Sequence, residues 1–157
     1  MDIIGKPSVH PAIFYSGKVA GSIVWIALLL SIAGIEVIST RTFWYSNYIG
    51  ILIFAAGVYF SFASLFSLGK SARMGLPKEQ TTLKTSGLYS LSRNPIYLGL
   101  NLVTTASVVY TLNVVILFLG IYSIISHHFI IKGEEQFLSS RFGEEYNDYR
   151  MSVKRYL

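Results

Sequence analysis

Two short polar runs border long apolar stretches of the sequence, and each could hold a charged ligand. Ser92-Arg93-Asn94-Pro95 precedes one apolar stretch, and Lys132-Gly133-Glu134-Glu135 follows another. In the first run, asparagine suits the N-cap of a helix and proline suits its first position. A helix N-terminus beside the Arg93 guanidinium can bind a carboxylate or a phosphate. The alternative is a well-capped helix beside an arginine that only sets membrane topology. Residue chemistry alone favours this alternative over an anion-binding site.

The second run places two carboxylates side by side, and these could bind a cationic ligand. The alternative is a solvated helix end, although glutamate gains nothing from the dipole in the C-terminal half of a helix. His127 and His128 precede Glu134 and Glu135 by seven residues each, which is about 10.5 Å along a helix. Ligands of one metal ion are closer than this, so we predict no metal site.

The composition predicts that these runs lie at a membrane surface. The chain is 52% hydrophobic and 13% charged, whereas a soluble domain has about a quarter charged residues. Uncharged stretches cover 19–35, 42–69 and 94–131. As one helix the third stretch would be about 57 Å long, nearly twice the bilayer core. It must therefore fold back at 110–113, where Asn113 can cap the returning helix.

We therefore predict an all-α, polytopic membrane protein with about four transmembrane helices, forming one integral membrane domain over 1–157. The helices are placed at 19–38, 47–68, 95–110 and 113–131, with a loop at 69–94 and a tail at 132–157. Helices 3 and 4 form a hairpin. Ten of the 13 Lys and Arg residues lie in the loop and the tail. This asymmetry predicts that both termini, the loop and the tail are cytoplasmic, and it explains the net charge of +5 without nucleic acid.

The loop and the tail are expected to be ordered. The loop has about 26 residues with leucines and a tyrosine among its turn residues, which is long for a simple connection. Helix 4 is expected to continue toward Ser140, and a short helix restarts after Gly143. Its apolar stripe (Tyr146, Tyr149, Val153 and Tyr156 or Leu157) could lie in the membrane interface or dock over the loop.

Several site classes are not supported by the sequence. There is no cysteine, and no Gly-x-Gly-x-x-Gly, Walker or Gly-x-Ser-x-Gly motif, which leaves no basis for a Rossmann or P-loop nucleotide site or a nucleophile elbow. The first apolar stretch is too long for the core of a cleavable signal peptide.

Residues 85–99, Thr-Ser-Gly-Leu-Tyr-Ser-Leu-Ser-Arg-Asn-Pro-Ile-Tyr-Leu-Gly, closely resemble a known signature. It is the T-x-G-x-Y-x-x-x-R-H/N-P-x-Y-x-G pattern of the isoprenylcysteine carboxyl methyltransferase and phospholipid methyltransferase superfamily. A second block resembles the C-terminal pattern of the same superfamily, and it consists of Glu134, Glu135, Leu138, Phe142, Gly143, Tyr146, Tyr149 and Arg155. Residues 69–75 resemble the segment that often precedes the first block.

The resemblance implies an S-adenosylmethionine-dependent membrane methyltransferase, with S-adenosylhomocysteine as product and no Rossmann domain. The cofactor would lie under the cytoplasmic loop, and a membrane lipid or a small lipidated substrate would enter from the bilayer. The implied cofactor-binding residues are Gly87, Tyr89, Arg93, Asn94, Pro95, Tyr97, Leu98, Gly99, Glu134 and Glu135. Arg93 suits the methionyl carboxylate, while Glu134 or Glu135 suits the amino group or the ribose hydroxyls. Arg93, Asn94 and His128 are the candidate catalytic residues.

Two departures from the signature leave the methyl acceptor open. Asn94 replaces a frequent histidine, as in prokaryotic-looking members, which favours a prokaryotic plasma membrane over the endoplasmic reticulum. His128 stands where eukaryotic carboxyl methyltransferases carry an arginine. Carboxyl O-methylation of an isoprenylcysteine-like substrate is the first hypothesis, and N-methylation of an amine lipid is the second. One alternative is a small four-helix transporter or channel subunit. Another is an inactive member of the superfamily that binds lipid or has a structural role. The oligomeric state stays open.

Overall fold

A computed structural model describes residues 7–35, 43–68 and 82–157. These residues form five α-helices and no strand. The helices are α1 (Pro11–Ile32), α2 (Trp44–Leu68), α3 (Pro95–Thr111), α4 (Val114–Phe142) and α5 (Glu144–Ser152). A short 3-10 helix, Gly87–Ser90, precedes α3. The all-α prediction is confirmed, while residues 69–81 of the predicted loop lie outside the described residues.

Three of these helices, α1, α2 and α4, are long and apolar enough to cross a membrane. Helix α3 has 17 residues, which is about 25 Å and less than the roughly 30 Å hydrocarbon core. Large apolar side chains face outward, and Trp44, Leu52 and Phe66 are 77%, 71% and 81% exposed. Lipid, not water, is the suitable environment for such a surface. The chain is thus a polytopic membrane protein, and α3 agrees within one residue with the short third span predicted at 95–110.

The first helix differs from its predicted range of 19–38. It begins at Pro11, where the His10 side chain accepts a hydrogen bond from the Ala12 N–H (3.3 Å), and it ends at Ile32. Lys18 served as the boundary in the prediction because it is charged. In the structure Lys18 lies inside the helix, with its ammonium 4.0 Å from the centroid of the Phe14 ring. Residues 36–38 of the predicted span lie outside the described residues.

The turn between α3 and α4 confirms the predicted hairpin. Leu112 adopts a left-handed conformation (φ 45°) directly after α3. The Asn113 side chain then accepts hydrogen bonds from the backbone N–H groups of Val115 (2.9 Å) and Ile116 (3.3 Å). This N-cap satisfies donors that the first turn of α4 would otherwise leave unpaired. Helix α4 continues to Phe142, as expected from the predicted extension toward Ser140.

Small residues allow the helices to pack closely. Helix α3 packs most extensively against α2, and α1 packs mainly against α4. A Cβ atom on Gly57 would lie 2.8 Å from the Gly99 carbonyl oxygen, and Cβ atoms on Gly17 and Gly21 would overlap serines of α4. The Gly17 and Gly21 pair therefore serves helix packing. Because α3 and α4 are antiparallel, the start of α3 lies beside the C-terminal half of α4.

Candidate functional site

Four side chains converge where α3 begins, and we call Arg93, Asn94, Glu135 and Arg155 the Glu135 cluster. Arg93 donates to Glu135 Oε1 through Nε (3.2 Å) and Nη2 (3.1 Å). Arg155 donates to Oε2 through Nε (3.0 Å) and Nη2 (2.7 Å). The side chains of Arg93 and Glu135 are 8% and 9% exposed. Such paired, charge-assisted bonds fix the carboxylate in one orientation, and they raise the pKa of Arg155 above its ordinary value.

Asn94 belongs to this cluster and does not act as the predicted cap. It occupies the N-cap position of α3, but its side chain makes no capping hydrogen bond. Its Nδ2 instead donates to Glu135 Oε1 (3.2 Å) and to the Arg155 carbonyl oxygen (3.3 Å). The predicted N-cap position of Asn94 and the proline after it are confirmed, but the capping hydrogen bond is not formed, because the side-chain amide is oriented to donate to Glu135 and to the Arg155 carbonyl oxygen.

Residues 150–155 are attached to the start of α3 through their backbone. The Nη1 of Arg93 donates to the carbonyl oxygens of Arg150 (3.0 Å) and Val153 (2.8 Å). The Arg93 backbone N–H donates to the Lys154 oxygen (2.9 Å). Arg93 thus holds the segment that follows α5 against the first turn of α3.

Helix α5 contacts the 3-10 helix through the first part of its apolar stripe. Tyr146 and Tyr149 are buried, and the Tyr149 hydroxyl donates to the Tyr89 carbonyl oxygen (2.6 Å). Burial raises the pKa of Tyr149 to about 12, so the phenol keeps the proton that it donates. The predicted short helix after Gly143 is confirmed. Tyr146 and Tyr149 of its stripe face protein, whereas Val153 and Tyr156 are partly exposed and Leu157 is exposed.

A second group of polar side chains lies between α1, α3 and α4, and we call it the interhelical polar group. It consists of Lys18, Tyr97, Asn101, His127 and Glu134. The Tyr97 hydroxyl donates to Glu134 Oε1 (2.7 Å), and Asn101 Oδ1 lies 2.8 Å from His127 Nδ1. The rings of Tyr97 and His127 are 5.5 Å apart. Lys18 is close enough to interact electrostatically with Glu134 and His127. Ionisable groups between membrane helices are costly and often functional.

The remaining predicted site residues have other neighbours. Pro95 is buried at the first position of α3, and Gly99 faces α2. Gly87 is exposed with a φ of 67°, at the start of the 3-10 helix. The Nδ1 of His128 lies 2.8 Å from the Tyr156 hydroxyl. Leu98 is partly buried on α3. Of the predicted site residues, Arg93, Asn94 and Glu135 therefore lie in the Glu135 cluster. Tyr97 and Glu134 lie in the interhelical polar group.

Three members of the interhelical polar group, Lys18, Asn101 and His127, are not among the residues predicted to form the site. Lys18 was treated as the edge of a span, His127 was considered only as a metal ligand, and Asn101 was not considered. One signal was available: Asn101 and His127 are polar residues inside apolar stretches, where a hydrogen-bond partner is required. Over 7–35, 43–68 and 82–157, no three His, Cys, Asp or Glu residues are grouped so as to hold a metal ion.

Residues 45–145 match the family model described as phospholipid methyltransferase, which covers more than half of the chain. This match includes α2, the 3-10 helix, α3 and α4 with both members of the Glu134-Glu135 pair. No curated protein and no solved structure matched the chain. The match confirms the resemblance found in residues 85–99, and it shows that the chain belongs to the phospholipid methyltransferase family.

Proposed function

We propose that the protein transfers a methyl group from S-adenosylmethionine to a lipophilic acceptor that enters from the bilayer. The observation that carries this proposal is the Glu134 carboxylate. It lies between helices, at the same end of the α3–α4 hairpin as the Glu135 cluster, and Tyr97 fixes its orientation. A fixed carboxylate at this position suits a ligand with a positive charge and hydroxyl groups.

The donors and acceptors around Glu134 fit such a cofactor. Tyr97 occupies Oε1, and no hydrogen bond to Oε2 is formed within the described residues. This second oxygen can accept from the cofactor amino group or from its ribose hydroxyls. When bound, the cofactor supplies an electrophilic methyl group. The chain contributes orientation and exclusion of water, so no nucleophilic side chain is needed.

Arg93 and Asn94 have a different role in this proposal from the one first expected. Arg93 makes four side-chain hydrogen bonds, and a guanidinium has only five N–H donors. It therefore has little capacity left for the carboxylate of a cofactor. We assign Arg93 and Asn94 as positioning residues that fix Glu135 and the segment after α5. The catalytic role of His128 stays a prediction.

Two classes of methyl acceptor remain, a carboxylate and an amine lipid, and one observation favours each of them. The Lys18 ammonium near Glu134 can pair with a carboxylate acceptor, which favours the carboxyl O-methylation of an isoprenylcysteine-like substrate. A carboxylate is already deprotonated at neutral pH, so this reaction needs no base. The match to the phospholipid methyltransferase family favours N-methylation of an amine lipid.

Calorimetric titration of the purified protein in detergent tests the cofactor site. We expect S-adenosylmethionine and S-adenosylhomocysteine to bind, and we expect Glu134→Gln to weaken binding about 10- to 100-fold. This range corresponds to losing one hydrogen bond to a charged group. The matched control is Glu144→Gln, because Glu144 is exposed on α5. Unchanged affinity in Glu134→Gln would contradict the site, and no binding by the wild type would favour a transporter or structural protein.

Methyl-labelled cofactor identifies the acceptor class. Membranes that contain the protein are expected to gain label in a lipid-soluble product, and Glu134→Gln is expected to reduce the labelling. Label that is released as methanol by mild base indicates an ester and supports the carboxylate acceptor. Label that resists base and comigrates with a phospholipid supports the amine lipid and contradicts the first hypothesis.

A further inference from the structure

One exposed face of α4 changes from apolar to polar along its length. Ile121, Ile125 and Phe129 are 45%, 49% and 47% exposed. Lys132 and Gln136 continue the same face and are also exposed. The spacing of three or four residues places these side chains in one row on the helix surface. The apolar part of the row therefore runs directly into a polar part that begins at Lys132.

The polar part of this face, with Lys132 and Gln136, forms one wall of an open groove. The groove has a volume of about 430 Å³, and Arg150 on α5 and Arg155 after α5 lie on its other wall. Its lining residues are Lys132, Glu135, Gln136, Ser139, Ser140, Arg150 and Arg155. Three of them are cations, and the one carboxylate already binds two guanidinium groups. The groove therefore carries a net positive charge.

Two of the three cations are available for a ligand. Within the described part of the chain, the side chains of Lys132 and Arg150 make no hydrogen bond or ion pair. The Nη1 of Arg155 is directed away from its bidentate contact with Glu135. Cations from α4 and from the α5 segment therefore face a common space that is large enough for a phosphate group.

We propose that this groove binds the phosphate of an anionic phospholipid, whose acyl chains lie along Ile121, Ile125 and Phe129. Phosphate is the ligand chemistry that a group of lysine and arginine side chains recognises. The source is a lipid and not a soluble phosphate, because the groove is continuous with the exposed apolar row Ile121, Ile125 and Phe129 on α4, a helix long enough to cross a membrane. The bound lipid attaches α5 to α4 at the membrane surface. Glu134 does not line this groove, and the proposed lipid site does not depend on methyl transfer.

Native mass spectrometry of the full chain in detergent tests the proposal. The protein is mixed with equal amounts of phosphatidylglycerol and phosphatidylcholine, and the lipid adducts are counted. We expect the wild type to prefer phosphatidylglycerol and the variant Lys132→Gln/Arg150→Gln to lose this preference by at least about tenfold. An equal preference for both lipids in the wild type would overturn the proposal.

A charge-matched control separates the groove from general attraction to anions. The variant Lys84→Gln/Lys154→Gln also removes two positive charges, but neither side chain lines the groove. It is expected to keep the preference for phosphatidylglycerol, and an equal loss in both double variants would overturn the site. Inorganic phosphate distinguishes the two phosphate sources. Displacement of the lipid by equimolar phosphate would overturn the lipid assignment, since the acyl chains would then contribute nothing.

Discussion

Replacing Glu135 with alanine is expected to destabilise the protein by about 3–5 kcal/mol, the usual cost of leaving a buried charge unpaired. Arg93 would keep its charge in a site where its side chain is 8% exposed, without a carboxylate to balance it. Arg155 contributes less to this cost because it is 34% exposed and water can solvate it. Thermal unfolding of the detergent-solubilised variant, followed by circular dichroism, measures the loss.

The control for this substitution is Glu145→Ala, since Glu145 is exposed on α5 and makes no ion pair within 82–157. It is expected to change stability by less than about 0.5 kcal/mol. Cofactor binding should fall with stability in Glu135→Ala and recover at low temperature, where the variant stays folded. A Glu135→Ala protein with wild-type stability would show that the Glu135 cluster does not hold α5 in place.

The substitution Gly99→Ala is expected to force α2 and α3 apart. The added Cβ would lie 2.6 Å from the Ser61 backbone nitrogen and 2.7 Å from the Gly57 carbonyl oxygen. Backbone atoms cannot move away as a side chain can, so overpacking should cost about 1–3 kcal/mol or more. This cost exceeds the roughly 1 kcal/mol that alanine gains over glycine inside a helix. The same thermal unfolding measurement checks this result.

Gly120→Ala is the matched control because it is the same substitution in a neighbouring helix. There the Cβ would meet methyl groups of Val108 and Thr104 at 3.1 and 3.2 Å. Small rotations relieve these contacts, so stability should stay close to that of the wild type. The pair also tests the expected role of Gly99 in cofactor binding. Weaker binding in a Gly99→Ala protein of unchanged stability would support that role and contradict the packing role.

The fold could largely be predicted from the sequence because apolar length is a strong signal. The 94–131 stretch was too long for one span, and Asn113 marked the turn that the structure shows. The start of α1 was missed because a single charged residue was taken as a boundary. Lys18 can lie inside a helix because its ammonium lies over the Phe14 ring and interacts electrostatically with Glu134.

The candidate site was predicted less completely than the fold. The motifs identified Arg93, Asn94 and Glu135, but their partners depend on contacts between distant segments. Arg155 reaches Glu135 only because α5 reverses the chain after Gly143. No local sequence pattern specifies which distant segments come into contact, so the roles of Arg93 and Asn94 in binding Glu135 could not be derived from spacing. The proximity of Lys18 and Glu134 could not be derived from spacing either, because more than 100 residues separate them in the sequence.

The sharing of one carboxylate by two guanidinium groups also constrains how this family can evolve. A change at position 135 alone leaves Arg93 and Arg155 uncompensated, and a change at position 93 alone also releases the backbone of residues 150 and 153. Substitutions within such a network are not additive. Related chains should therefore keep the residues at 93, 135 and 155 as a set or replace them together, and sequence covariation among these positions would record that dependence.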